Sequence, residues 1–372
     1  MIDDVTLDQQ IGTMLIMGFQ GVNEHDPEVE IVSAHLADDL LGGVILYRNN
    51  IKNSEQLKTL NSKFKQANPT CFISVDQEGG KVERLPASKG FQGFPSAKEV
   101  GMLDNASDIY KTMSLELASH FINLNFGPVA DLDNSSKPCP VIGGLGRSYS
   151  DHLDIVVYYN KEFIEAHHQN GVLTALKHFP GHGFAAGDTH ADLTDVTLTA
   201  KPDELNVFYE VIKQADVDMI MTAHIVNQNI DKELPVTLSP IALKTLLRDN
   251  GYNGVIISDD LHMGAIIKNF GFEESIVKAI NAGCDILILS NNKLACKGTD
   301  FAPNVNMNLK VIDVVKEALS KGEIKQETLD KAYNRIQSLK LKLENFQKLV
   351  LDAPDFNIAM ANFAGNEKKV DL

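Results

Sequence analysis

Long apolar runs are missing from this chain. No stretch approaches the roughly 18 consecutive apolar residues that a membrane-spanning helix needs, so no membrane partner is expected. Positive charge is scarce as well: 34 Lys and Arg stand against 50 Asp and Glu, a formal net charge of −16 over 372 residues. Nucleic-acid binding relies on clustered Lys and Arg that release counterions from phosphates, so nucleic acid is not an expected partner. Cysteine is sparse, and Cys71, Cys139, Cys284 and Cys296 show no C-x-x-C spacing. That distribution suits reduced, buried thiols in a cytosolic protein better than a disulfide framework. The N-terminus, Met1-Ile2-Asp3-Asp4-Val5, begins acidic where a secretory signal begins basic, and a cytoplasmic location is expected. Linkers, low-complexity tracts and internal repeats are lacking too.

What is present is a chain of 44% apolar content, long enough to bury a large core as one α/β barrel or as two smaller domains. Thr6 with Gln9 reads as a capping box, and Ile11, Met14 and Leu15 follow at helical spacing, predicting a helix that lasts until Gly18. Short apolar runs then recur at 43–47, 71–75, 124–129, 172–176, 219–223, 255–258 and 285–289. Helix-length segments such as 54–66, 151–169, 205–214 and 273–281 lie between most of them. This alternation predicts parallel strands with crossover helices, and it favours a single (β/α)8 TIM-like barrel over an open sheet. No eighth strand is obvious, so the barrel is expected to be irregular. Leu329, Ala332, Ile336, Leu339 and Leu343 repeat at 3–4 spacing over two heptads, which fits a helix docked on the barrel better than a coiled coil. Residues 1–350 are expected to form the barrel domain and 351–372 a loosely held tail.

Chemistry concentrates where the predicted strands end. The exits carry Asp76-Gln77-Glu78, Lys177-His178, His224 and Ser258-Asp259-Asp260, and in an α/β barrel the carboxyl ends of the strands hold the active site. Each group alone could be a hydrogen-bonded partner or a helix cap; four such exits together argue for a catalytic centre. Lys177-His178-Phe179-Pro180-Gly181-His182-Gly183, followed by Asp188-Thr189-His190, cannot be a continuous helix and reads as a loop bearing reactive groups. Asp259, delivered to the rim by an apolar strand and kept ionised by Lys177 and nearby arginines, has the properties of a nucleophile. Asp260 reads as a cap for a helix beginning near Leu261. Asp188 can orient the ring of His190 so that His190 moves protons, with incidental loop polarity as the alternative. Glycines 181, 183 and 187 suggest that the segment 181–192 swings during turnover. His178, His182, Asp188 and His190 could also ligate a metal. Pro180-Gly181, however, removes the helical register between the first two, and no H-x-H opens the first strand, so no metal is expected.

Four segments resemble glycoside hydrolase family 3, within it the bacterial NagZ-type β-N-acetylglucosaminidases. They are the 177–190 loop, the run from Val75 to Arg84, Gly146-Arg147-Ser148-Tyr149, and Ser258-Asp259-Asp260-Leu261 with Met263. The resemblance runs in order along nearly the whole chain, and nothing here supplies the second sandwich domain of larger relatives. It implies that Asp259 is the nucleophile and that His190, assisted by Asp188, is the general acid/base. It also implies that Asp76, Arg84, Arg147, Lys177 and His178 bind an N-acetylglucosamine unit. Lys81 departs from the arginine many relatives carry, and the Cys-Pro-rich stretch 133–146 does not align.

The implied activity is retaining, exo-acting hydrolysis of terminal non-reducing N-acetylglucosamine from muropeptides in peptidoglycan recycling. The implied enzyme is a monomer that needs no cofactor. Phosphorolysis of the same substrate and a broader β-glycosidase activity on the same fold stay open. So do a metal-dependent barrel hydrolase and a non-catalytic sugar sensor.

Overall fold

The structure, a computed structural model, describes residues 5–189, 192–293 and 301–352. Among these, eight parallel strands form one sheet: β1 Leu15–Met17, β2 Gly43–Leu46, β3 Phe72–Val75, β4 Leu124–Asn125, β5 Leu173–Phe179, β6 Met219–Thr222, β7 Val255–Ile257 and β8 Leu287–Leu289. Each pairs with the next in sequence, and β1 also pairs with β8 through Leu15↔Leu287 and Ile16↔Ile288. A parallel bridge between Ile257 and Ile286 joins β7 to β8, with Ser258 N donating to Ile286 O at 2.9 Å. The sheet is therefore closed, and the chain is a (β/α)8 barrel. Its irregularity is local: β4 has two residues, and the β5–β6 register shifts between Leu176 and Phe179.

The strand missing from the sequence reading is β1, and the helix predicted to last until Gly18 is shorter than its pattern suggested. The capping box forms, with Gln9 N on Thr6 Oγ1 at 3.2 Å and Thr6 N on Gln9 Oε1 at 3.1 Å, but the helix Leu7–Gly12 stops there. Met14, Leu15, Ile16 and Met17 are all fully buried. A run that is apolar on every face carries no periodicity with which to tell a buried strand from a buried helix. Gly12 marks the break, because a Cβ there would lie 2.3 Å from Asp39 O.

The helices lie outside and bury one face each. Ser54–Ala67 is capped by Asn53, whose side chain accepts Gln56 N at 2.9 Å, and it turns Leu57, Leu60 and Phe64 inward. The terminal helix Gln326–Asp352 packs its Leu329, Ala332, Ile336, Leu339 and Leu343 stripe into the core, against strand and helix neighbours of the barrel. Of the tail expected over 351–372, residues 351 and 352 belong to this helix, and the rest lies outside the described residues. Cys71, Cys139 and Cys284 are buried free thiols, and Cys296 falls outside the described residues. None of the described helices is long and apolar enough to cross a membrane.

Because Ile16 is fully buried in the strand that closes the barrel, Ile16→Ala should lower unfolding stability by about 2–5 kcal/mol. Denaturant titration checks this. A loss below about 0.5 kcal/mol, typical of a surface site, would mean that 15–17 is not a barrel strand.

Candidate active site

All eight strands point the same way, so their carboxyl ends surround one mouth, and a cavity of about 350 Å³ opens there. Asp76 and Arg84 reach it from the β3 exit, Lys177 and His178 from β5, and Asp259 from the β7 exit. Arg147 and Asp188 arrive on loops. These are the residues expected from the sequence, save His190, which lies outside the described residues. Its neighbour Thr189 is placed at the cavity: Thr189 O accepts Ala265 N at 3.3 Å and Thr189 Oγ1 lies 3.4 Å from His182 Nε2.

Lys177, 2% exposed, sits between two carboxylates, with Nζ 3.0 Å from Asp76 Oδ1 and 2.6 Å from Glu78 Oε1. Arg84 Nη2 meets the other Asp76 oxygen at 3.1 Å. Arg147 grips Glu78 with both Nε and Nη2 at 2.8 Å, the forked geometry that makes arginine pairs directional. Burial by itself would raise the Asp76 and Glu78 pKa values, but Lys177 with Arg84 holds the first, and Arg147 with Lys177 the second, below the ordinary carboxylate range. Within this five-residue cluster three cations meet two anions, and it lines the same cavity as Asp259. Asp259 itself is half-buried, and its Oδ1 accepts the N–H of Asp260 at 2.7 Å.

A further carboxylate orders the loop behind Lys177. The backbone beyond β4 runs alongside β5, with Ala130 N donating to Lys177 O at 2.6 Å, and this sets Asp131 against the histidines. The fully buried Asp131 takes His178 Nδ1 at 2.6 Å and His182 N at 2.7 Å. Arg147 Nη2 donates toward His178 Nε2 at 3.2 Å, a pattern that puts the imidazole proton on Nδ1. Both ring nitrogens are thus engaged. Among the described residues no three His, Cys, Asp or Glu side chains converge as a metal-ligand set.

Residues 6–339 match the Glycosyl hydrolase family 3 N terminal domain. The chain belongs to glycosyl hydrolase family 3. A beta-hexosaminidase of Tolumonas auensis is 35% identical over 292 residues, covering 75% of this chain and 83% of that protein. One from Vibrio cholerae is 31% identical over 317 residues, covering 83% and 91%. Among solved structures, a family 3 beta-N-acetylglucosaminidase from Paenibacillus superposes with a TM-score of 0.81 at 30% identity, over 91% of this chain but 63% of that one.

Three parts of this family 3 site were not assigned from the sequence. Glu78 and Asp131 are one; each is an acid on a strand exit whose partners lie far along the chain. The stretch 133–146 is another: Val141, Ile142 and Leu145 wall the cavity, and Val141 O accepts Arg147 Nη1 at 2.8 Å. The third is Glu204, buried at 2% exposure beneath the loop, on the helix Pro202–Gln214.

Two expectations are corrected. Asp260 caps no helix at Leu261, because the next helix begins at Gly264; its Oδ1 instead accepts His262 N at 3.0 Å and Ser290 N at 2.8 Å, tying the β7 exit to the β8 exit. Burial, reinforced by the neighbouring Asp259 charge, raises its pKa to about 6. Gly181 and Gly183 are not swivels. A Cβ on Gly183 would lie 1.8 Å from Leu132 O and one on Gly181 2.3 Å from Glu204 Cβ, so both glycines permit close packing.

Glu78→Gln removes the anion shared by Arg147 and Lys177 and should cost about 3 kcal/mol of stability near neutral pH. Since the native Glu78 pKa is depressed, that stabilisation is present above the unfolded carboxylate value and is lost as pH falls below it. Unfolding both proteins from pH 8 to pH 3 should therefore show a gap that is constant above about pH 5 and narrows below about pH 4. A gap independent of pH would contradict the charge assignment.

Proposed function

We propose that this chain is a retaining exo-β-N-acetylglucosaminidase. The observation that carries the reading is the meeting, in one cavity of a family 3 barrel, of the strand-held Asp259 with the segment Asp188-Thr189 that leads into His190. The relatives bearing the names beta-hexosaminidase and beta-N-acetylglucosaminidase support the sugar class. Terminal N-acetylglucosamine of muropeptides, a role in peptidoglycan recycling and a monomeric state rest on the family resemblance, and a cytoplasmic location on the scattered cysteines and the acidic N-terminal segment. The division into a catalytic unit over 1–350 and a tail over 351–372 rests on the sequence pattern alone.

In the first step a carboxylate oxygen of Asp259 bonds to the anomeric carbon while the glycosidic C–O bond breaks, and protonated His190 gives its proton to the departing oxygen. In the second, water attacks the same carbon, passes its proton to His190, and Asp259 leaves with its electron pair. Asp188 holds the His190 ring. A neutral base suits a site already holding Asp76, Glu78, Asp188, Asp259 and Asp260, because it adds no further anion beside the nucleophile. The amide of Asp260 fixes the Asp259 carboxylate, so the attacking oxygen is oriented before substrate arrives. Asp76, Arg84, Arg147, Lys177 and His178 bind the sugar hydroxyls.

A chromogenic β-N-acetylglucosaminide should be cleaved and the matching β-glucoside should not, with or without phosphate; a sugar 1-phosphate product would instead assign phosphorolysis. Asp259→Ala should reduce kcat by at least about 10³-fold while leaving the thermal unfolding cooperative. A slow-releasing fluorinated glycoside should label Asp259 in a peptide digest, and a label on Asp260 would overturn the nucleophile assignment. His190→Ala should lose far more rate with poor leaving groups than with good ones, by roughly 10²-fold. Azide should restore turnover on the activated substrate; no rescue together with equal losses across substrates would remove His190 from the acid/base role.

A further inference from the structure

Beneath the loop that carries Asp188 lies a buried acid that the mechanism leaves unused. Glu204 is the third residue of the helix Pro202–Gln214, and its Oε2 accepts Lys201 N at 3.2 Å, an ordinary capping bond. Its other oxygen leaves the helix altogether. Oε1 accepts Gly183 N at 2.9 Å and Phe184 N at 3.4 Å, the two amides from which the loop departs toward Asp188. Capping alone would not need this second oxygen buried under a neighbouring segment. Gly181 makes room for it, as its missing Cβ would occupy the Glu204 side chain, while Gly183 is wedged between Glu204 and the Leu132 carbonyl.

The far end of the excursion is tied separately, through Thr189 O to Ala265 N at 3.3 Å. Between the two ties run four residues, 185–188, and Gly187 packs on Thr194, whose Oγ1 would be 2.7 Å from an added Cβ. Asp188 therefore sits on a short span whose root is held by Glu204 at the Gly183 and Phe184 amides and by Asp131 at the His182 amide. Burial, with the Asp131 charge adding to it, pushes the Glu204 pKa up to about 7 against the pull of the Lys201, Gly183 and Phe184 amides. A carboxylate kept at a site so unfavourable to its charge is better explained by the donors it must serve than by helix capping.

We propose that Glu204 is a positioning residue for proton transfer: by fixing the amides of Gly183 and Phe184 it sets where Asp188, and through it the His190 ring, stands relative to the glycosidic oxygen. This rests on the acid/base role of His190 argued above. It separates binding from protonation, because the Asp76, Lys177 and Arg147 cluster is held by its own ion pairs and does not touch Glu204 among the contacts described.

The test compares kcat/KM, which reads the first chemical step, on a dinitrophenyl and an alkyl β-N-acetylglucosaminide for wild type, Glu204→Ala, Glu204→Gln and His190→Ala. Misplacing a proton donor by about 1 Å can cost on the order of 10²-fold. Glu204→Ala should therefore lose roughly 30-fold on the alkyl substrate and under about threefold on the activated one. Glu204→Gln, which keeps a carbonyl oxygen for Gly183 N, should show the same selectivity at about fivefold. Equal losses on both substrates, or none, in the Glu204 variants would overturn the proposal, since a general loss of folded enzyme lowers both rates alike. If Glu204→Ala does not unfold cooperatively, the selectivity of Glu204→Gln decides. Selectivity in His190→Ala without any in the Glu204 variants defeats the positioning role alone; its absence in His190→Ala defeats the acid/base reading and this inference with it.

Discussion

A lysine taken almost wholly out of water must find its counter-charges at fixed places, and Lys177 finds two. Its ammonium bridges Asp76 and Glu78, which come from the exit of β3, two strands away, and each acid then recruits an arginine of its own, Arg84 or Arg147. Such a network is costly to assemble but hard to deform once assembled, because displacing any member strands a buried charge. The wall of the mouth is therefore set by electrostatics before any ligand enters. The Cys-Pro-rich stretch 133–146, which delivers Arg147 and lends it the Val141 carbonyl, is folded around the same charges.

The barrel was legible wherever a strand was short, apolar and followed by a helix of ordinary amphipathic period. Seven strands met the first two conditions and most of them the third. β1 was not legible, because Met14 to Met17 are apolar on every face and directly follow a genuine helix, and no local rule assigns such residues. Their pairing with Gly43–Val44 on one side and Leu287–Leu289 on the other is a property of closure.

The site divides along a similar line. Residues that carry chemistry at a strand exit stood out by type and spacing, and Asp76, Arg84, Arg147, Lys177, His178, Asp188 and Asp259 do share one cavity. The carboxylates that hold those residues did not stand out. Asp131 reaches His178 across 47 positions and Glu204 reaches Gly183 across 21, and a lone acid in a sequence looks the same whether it faces solvent or a buried amide. The loop glycines were misread for the complementary reason: glycine marks tight packing as readily as freedom, and the distinction lies in what surrounds it.

Closure through the first and last strands has a consequence for how this chain is made. β1 lies between β2 and β8, and its partner Leu287 follows Leu15 by 272 positions. On a ribosome β1 and β2 can pair early, yet the other edge of β1 stays open until Leu287–Leu289 have emerged. During that interval the nascent sheet presents an unpaired row of amides and carbonyls flanked by fully buried side chains, the kind of edge that invites association with other chains. The interior of the barrel cannot become dry before β8 arrives, so the charge network around Lys177 matures only then, even though Asp76, Glu78 and Lys177 are all made before β6.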